Sequence, residues 1–150
     1  QSVVDIVREH WRNYGRNYYS RHDYEEVDET AAQGLVKHLR ESLPKLKGMT
    51  LGGIVVGKAD DFAYEDPVDG SRTTGQGIRI LFEDGSRVVY RLSGTGTAGA
   101  TLRVYIERYE RDASRLDLET QAALAPLIGF ARSLAEIESR TGRREPTVIT

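Results

Sequence analysis

The chain has 150 residues, 39% of them apolar, a formal net charge of −2 and no cysteine. That length suits one domain with a real core, and the near-neutral charge argues against nucleic acid or an anionic membrane as the main partner, because both need a strong basic excess. Lack of cysteine removes disulfides, thiolate nucleophiles and cysteine-based zinc sites, and no apolar run approaches a membrane span or a signal-peptide core.

A reducing cytoplasm is the expected compartment. The first residue is Gln1 and the only methionine is Met49, so the expectation is an excised piece of something longer.

The chain opens on an amphipathic helix, with Ser2 as N-cap, Asp5 in a capping-box position and Gly15 as the residue that ends it. Val3, Ile6, Val7, His10, Trp11 and Tyr14 form its apolar-to-aromatic stripe. His10 reads as a packed, hydrogen-bonded residue, since no second ligand lies at metal-binding spacing. GRNYYSRHDYEE, residues 15–26, is aromatic and extended. Alternation puts Tyr19, Arg21 and Asp23 on one face and Tyr18, Ser20, His22 and Tyr24 on the other. Tyrosine and arginine also build stacking platforms for single-stranded nucleic acid, but the acidic run Asp23, Glu25, Glu26, Asp28 and Glu29 would repel a phosphate backbone.

Asp28 or Thr30 caps a second helix carrying Ala31, Ala32, Leu35, Val36, Leu39 and Leu43, expected to stop before Pro44. Lys45 to Gly53 reads as a connection and Ile54 to Ala59 as a short strand. Asp60 to Gly77 reads as a long polar loop with turn signals at Asp66-Pro67 and Asp69-Gly70. Its carboxylates lack the spacing of a calcium loop. Ile78 to Leu92 is a hairpin: Ile78, Ile80 and Phe82 alternate with Arg79, Leu81 and Glu83, Asp84-Gly85 is a two-residue turn, and Val88, Tyr90 and Leu92 follow.

The hairpin leads into RLSGTGTAGATLR, residues 91–103, where three glycines, hydroxyl residues and two flanking arginines share one short segment. Glycines let successive N–H groups converge on one point. Ser93, Thr95, Thr97 and Thr101 add hydroxyls, and Arg91 and Arg103 offer planar forks that match phosphate oxygens. Residues alone leave two readings open, a phosphate cradle or a plain strand connection with solvated arginines. Gly94, Gly96 and Gly99 also spell GxGxxG, but a dinucleotide site needs a helix to follow directly. Leu102, Val104 and Ile106 instead alternate with Arg103, Tyr105 and Glu107, as in a strand, although a helical spacing (Leu102, Ile106, Tyr109) remains open. If Tyr90 and Leu102 face the core, parity sends Arg91 and Arg103 to the outer face.

Asp112 to Asp117 turns the chain into a long helix with the stripe Leu124, Leu127, Ile128, Ala131, Leu134 and Ile137, closed by Gly142. Pro126 inside it predicts a kink or a break. The tail, Pro146 to Thr150, is extended and apolar enough to dock. The fold class is therefore α+β, a mainly antiparallel sheet packed on helices in β-α-β4-α order with an extra N-terminal helix, all in one domain.

RLSGTGTAGATLR, GRNYYSRHDYE, DPVDGS, QGIRILFEDGSRVVYR, APLI and the ending RTGR-x-x-PTVIT closely resemble the carboxy-terminal, fourth domain of phosphoglucomutases in the α-D-phosphohexomutase superfamily. The resemblance covers nearly the whole chain. It implies a TATA-binding-protein-like fold, with residues 1–15 as a leading helix or linker from the preceding domain. It also implies that residues 1–150 serve a larger enzyme that interconverts glucose 1-phosphate and glucose 6-phosphate through glucose 1,6-bisphosphate and a phosphoserine. Ser93, Gly94, Thr95 and Gly96 look like the family's phosphate clamp, with Arg91, Arg103 and Arg21 as supporting arginines. Thr97 stands where serine is commoner, and Arg72 to Thr74 departs from the usual string.

The family's serine loop, magnesium loop and sugar loop are not found in these residues, so the implied role is substrate binding by a mobile lid. The 150 residues alone are expected to be inactive, with no catalytic or metal-binding residue of their own; Mg2+ and glucose 1,6-bisphosphate belong to the complete enzyme. Expected partners are a phosphorylated hexose and the other domains of the same chain, with no nucleic acid and no membrane. A competing expectation is a stand-alone protein-interaction module, which requires an exposed apolar patch near Tyr18, Tyr19 and Val148.

Overall fold

Strict alternation builds the centre of the sheet. In β5 (Arg87–Ser93) Val88, Tyr90 and Leu92 point inward, and in β6 (Ala100–Glu110) Ala100, Leu102, Val104 and Ile106 do the same. β1 (Arg16–Val27) contributes Tyr18, Ser20, His22 and Tyr24 to that inner side. The structure, a computed structural model, describes residues 2–51, 54–65, 72–93 and 99–150. Around the centre lie β2 (Thr50–Leu51), β3 (Ile54–Glu65), β4 (Arg72–Phe82) and β7 (Val148–Ile149). All pairings are antiparallel, and the strand order is β2-β3-β4-β5-β6-β1-β7.

Helices cover the inner face. α2 (Glu29–Leu46) buries Ala32, Leu35, Val36, Leu39 and Leu46. α3 (Thr120–Ala135) buries Ala123, Leu124, Leu127, Ala131 and Ala135, and the short α4 (Ile137–Thr141) adds Ile137. These side chains form one core with the inward residues of the sheet. Tyr90 fastens the two layers: its buried hydroxyl donates to the Ala131 carbonyl at 2.7 Å, and burial raises its pKa.

The α+β class, the antiparallel sheet and the strand reading of residues 100–109 all hold. Several boundaries differ for physical reasons. Asp60 to Glu65 and Arg72 to Gly77 belong to a long β3–β4 hairpin, and only its turn signals at 66–71 lie outside the described residues. Asp60 is accommodated on a strand because the opposite Arg79 grips it with two bonds of 3.1 and 2.9 Å. That fork holds the Asp60 carboxyl below its ordinary pKa. At the β4–β5 hairpin, Phe82 N donates to the Ser86 carbonyl at 2.9 Å, so the turn holds Glu83, Asp84 and Gly85. Gly85 takes φ +94, as a three-residue hairpin loop requires.

Neither proline breaks its helix. Pro44 sits exposed in the last turns of α2, where burial of Leu46 draws the chain onward. Pro126 is exposed on α3, beside an exposed Ala122 whose carbonyl can turn to water. The break comes instead at Glu136, which adopts φ +53, ψ +45 between α3 and α4.

α1 (Val3–Tyr14) forms with its capping box intact, Asp5 N donating to Ser2 Oγ at 3.1 Å. Its stripe is not buried by the described residues: Val3 is 77% exposed, and Ile6 and Tyr14 are exposed too. His10 corrects the sequence reading, because it is exposed, with its ring centre 4.9 Å from that of Tyr14. The helix is fixed through its end, where the Arg16 guanidinium lies between the Trp11 and Tyr18 rings at 4.0 and 4.1 Å.

Tyr90→Phe is expected to destabilise the fold by about 1 kcal/mol, the net worth of one neutral hydrogen bond. Urea denaturation should show a lower midpoint at unchanged slope.

Candidate functional site

Register across three neighbouring strands sets the site. Arg91 on β5 lies directly opposite Arg103 on β6, and Arg103 lies opposite Asp23 on β1. One step along, Val89, Tyr105 and Arg21 form a parallel row. Since Tyr90, Leu92, Leu102 and Val104 are buried inward, both rows project from the outer face, as parity required. Ser93 pairs with Thr101 at the end of the same strands. Gly94, Thr95 and Gly96, with Thr97, lie outside the described residues.

The side chains of these rows interact. Arg21 Nε stands 3.1 Å from Asp23 Oδ1, with the Arg21 side chain 33% exposed and that of Asp23 only 8%. The Arg91 guanidinium carbon lies 5.8 Å from the centre of the Tyr105 ring, at the outer limit of cation–π contact. Arg103 is half-buried, and its Nε has no hydrogen-bond partner among the described residues. The structure thus gathers Arg91, Ser93, Arg103 and Arg21 at one end of the outer face.

Sequence reading missed two features. Asp23 was visible only as a member of a strand face, because its position opposite Arg103 depends on a pairing between strands far apart in the chain. The second is the mouth of the site. β1 slips register between Tyr24 and Val27, and Glu26 there takes φ +55, a conformation uncommon for a side-chain-bearing residue. Gly99 takes φ +86 against this bulge, and a Cβ on it would meet the Val27 carbonyl oxygen at 2.7 Å. Only glycine fits there, so the point at which the chain enters β6 is pinned to β1.

Beneath β1, on the inner face, runs a polar chain. His22 Nε2 meets Gln121 Oε1 at 2.9 Å, Gln121 Nε2 donates to Ser20 Oγ at 2.9 Å, and Ser20 Oγ donates to the Thr150 carbonyl at 2.8 Å. Burial pushes the His22 pKa down, outweighing the Gln121 bond. The expected docking of the tail occurs here: Arg21 N and Thr150 O, Thr150 N and Arg21 O, and Thr147 N and Asp23 O pair at 3.0, 2.9 and 2.7 Å.

Elsewhere, a cleft of about 870 Å³ opens beside Arg132, Glu136 and Ile137, on the helical side of the sheet. Among the described residues no group of three or more His, Asp or Glu could hold a metal ion. Asp60 is taken by Arg79 and Lys58, and Asp61 by Arg40. No helix of the described residues is long and apolar enough to cross a membrane. Of the residues named for a stand-alone interaction module, Tyr18 is buried, 1% exposed, while Tyr19 and Val148 are exposed.

By fold and site this is an α+β domain that packs helices on one face of an antiparallel sheet and sets arginines on the other. Over residues 16–147 its sequence matches the family described as "Phosphoglucomutase-1, C-terminal domain", and the chain belongs to that family. It is 64% identical over its full length to a phosphoglucomutase of Rhizobium radiobacter, covering 28% of that protein. With phosphoglucomutase 1 (chloroplastic) of Marchantia polymorpha it shares 53% identity over 99% of its length, covering 23% of the relative. It also matches the open-form crystal structure of the Paramecium phosphoprotein pp63/parafusin, a phosphoglucomutase. The TM-score there is 0.82 and the identity 44%, over 99% of this chain and 25% of that one. The chain therefore spans about a quarter of these relatives.

His22 sets a pH dependence. Its folded pKa lies below the ordinary 6.5, so as pH falls the unfolded chain takes up the proton first. The stability it contributes is complete above about pH 6.5 and declines as pH falls toward the folded pKa, by at most about 1.4 kcal/mol per pH unit. Melting temperature should fall between pH 7 and 5, and His22→Gln should flatten that slope.

Proposed function

We propose that this domain grips the phosphate that is not being transferred while a phosphoglucomutase interconverts glucose 1-phosphate and glucose 6-phosphate through glucose 1,6-bisphosphate. The observation that carries the reading is the placement of Arg91 and Arg103 in register on the outer face, at the strand ends flanking residues 94–98, with Arg21 one strand away. Three guanidinium groups against one carboxylate, Asp23, leave the cluster cationic, matched to a phosphate dianion. Arginine forks bind two phosphate oxygens at once, and Ser93, Gly94, Thr95 and Gly96 supply hydroxyl and amide donors. Hydroxyl-specific recognition of the sugar and the phosphoryl transfer itself belong to other parts of the full-length enzyme.

The domain acts as a lid, closing over the sugar for transfer and opening so that the bisphosphate turns over and presents its other end. Residues 1–15 lead in from the preceding domain, which accords with a stripe on α1 that the described residues leave exposed. Asp60 and Asp61, the carboxylates of β3, are engaged by arginine and lysine. Magnesium would be held by another domain, and the 150 residues alone would be inactive. A cysteine-free sequence suits a reducing cytoplasm.

Arg103→Ala in the full-length enzyme tests the role. Loss of charge-assisted hydrogen bonds of about 1.5–3 kcal/mol lowers kcat/KM roughly ten- to a few-hundredfold. Melting temperature should hardly move, since the side chain lies outside the core; wild-type kinetics would remove Arg103 from the site.

A further inference from the structure

Four buried side-chain atoms lack a hydrogen-bond partner among the described residues: Arg21 Nε, Asp23 Oδ1, Tyr24 Oη and Arg103 Nε. Three of them belong to one charged cluster on the outer face. Asp23 Oδ1 and Arg21 Nε are 3.1 Å apart yet misaligned for a hydrogen bond, and Arg103 stands directly across from Asp23 in the β1–β6 register. Residues opposed in this way hold their Cβ atoms about 5 Å apart, within reach of a carboxylate and a guanidinium. A buried carboxylate requires both charge and hydrogen bonds to be satisfied. Here the Arg21 charge is close but misaligned, and Arg103 stands across from the carboxylate in register.

We propose that Asp23 is the positioning residue of the arginine cluster, drawing the Nε side of Arg21 and Arg103 to its carboxylate so that their paired Nη atoms face an incoming phosphate. Each guanidinium presents two edges, one containing Nε and one made of both Nη atoms. A carboxylate on the first edge leaves the second for the anion and fixes the plane of the fork. Asp23 is suited to this because its own place is fixed independently of its side chain. Its carbonyl accepts from Thr147 N at 2.7 Å, and it pairs with Val148 on β7. Anion capture completes the bonds that are misaligned without it. Asp23 touches no reacting atom and works through the arginines.

This inference rests on the phosphate-binding reading above, and the experiment separates the two. In the full-length enzyme, Asp23→Asn preserves shape and the backbone link to β7 but removes the charge. KM for glucose 1-phosphate should rise about tenfold, the scale of one charge-assisted bond. Melting temperature should move little, because losing the offset to the Arg91–Arg103 repulsion is opposed by no longer burying a charge. Combined with Arg103→Ala, the effect should be smaller than the product of the two single effects, because both act on one fork. If Arg103→Ala is impaired while Asp23→Asn is silent, or if the effects multiply, the positioning role is overturned and the phosphate-binding reading stands. If Arg103→Ala itself has wild-type kinetics, both fall together. Should Asp23→Asn not fold, Asp23→Glu decides. A folded enzyme with raised KM supports the role, because the carboxylate is displaced by one methylene; wild-type KM overturns it.

Discussion

Across β5, β6 and β1 the pleat assigns alternate residues to opposite sides, and the two sides carry different chemistry. Inward go Val88, Tyr90, Leu92, Leu102, Val104 and Ile106, whose burial against α2 and α3 supplies the driving force for the sheet. Outward go Arg91, Arg103 and Arg21, held at fixed spacing by a ladder they do not stabilise themselves. A slip of one residue would drive guanidiniums into the core and valines into water, so the register is held by the whole apolar face. Rigid positioning of the arginines is thus a by-product of core packing.

The arrangement has a cost that the core must carry. Like charges directly opposite each other on adjacent strands are destabilising, and Arg91 opposes Arg103. Asp23 offsets part of this from the next strand while being itself largely withdrawn from water. Glu26 at φ +55 adds local strain at the same end of the sheet, beside a Gly99 position that a side chain could not fill. Charge repulsion, a buried carboxylate and unusual backbone angles concentrate in one place, whereas the helical side is mainly apolar, with the His22–Gln121–Ser20 chain hydrogen-bonded within it. Such a concentration is expected where binding rather than stability has shaped the residues.

What could be read from the sequence was whatever depends on local pattern. Period two in Tyr18 to Tyr24, in Ile78 to Phe82 and in Leu102 to Ile106 announced strands and their faces, and thereby the outward placement of Arg21, Arg91 and Arg103. Position-specific exceptions were hidden. Whether Pro44 and Pro126 break a helix depends on where their neighbours' carbonyls point, and both lie on solvated turns. The charged start of the β3–β4 hairpin resembled a loop because Asp60 reads as polar until Arg79 is placed opposite it. His10 sat on an apolar stripe, but the described residues leave most of that stripe exposed, with only Trp11, under Arg16, partly covered. Asp23 was the hardest case, since its meaning comes from Arg103, eighty positions further on, through a pairing between strands distant in sequence.

That long-range pairing also explains the short C-terminal strand. β1 brings Arg21 and Asp23 to the site, but by lying beside β6 it would leave its other edge unpaired. β7 covers that edge at His22 and Asp23, and Thr147 and Thr150 extend the ladder along the backbone of Arg21 and Asp23. The polar chain from His22 through Gln121 and Ser20 to the Thr150 carbonyl locks the same segment from below. An exposed edge strand frays and twists; one tied on both edges and beneath does not. The arginine cluster therefore draws its precision from both ends of the described chain, with β1 supplying the side chains and the tail holding β1 still.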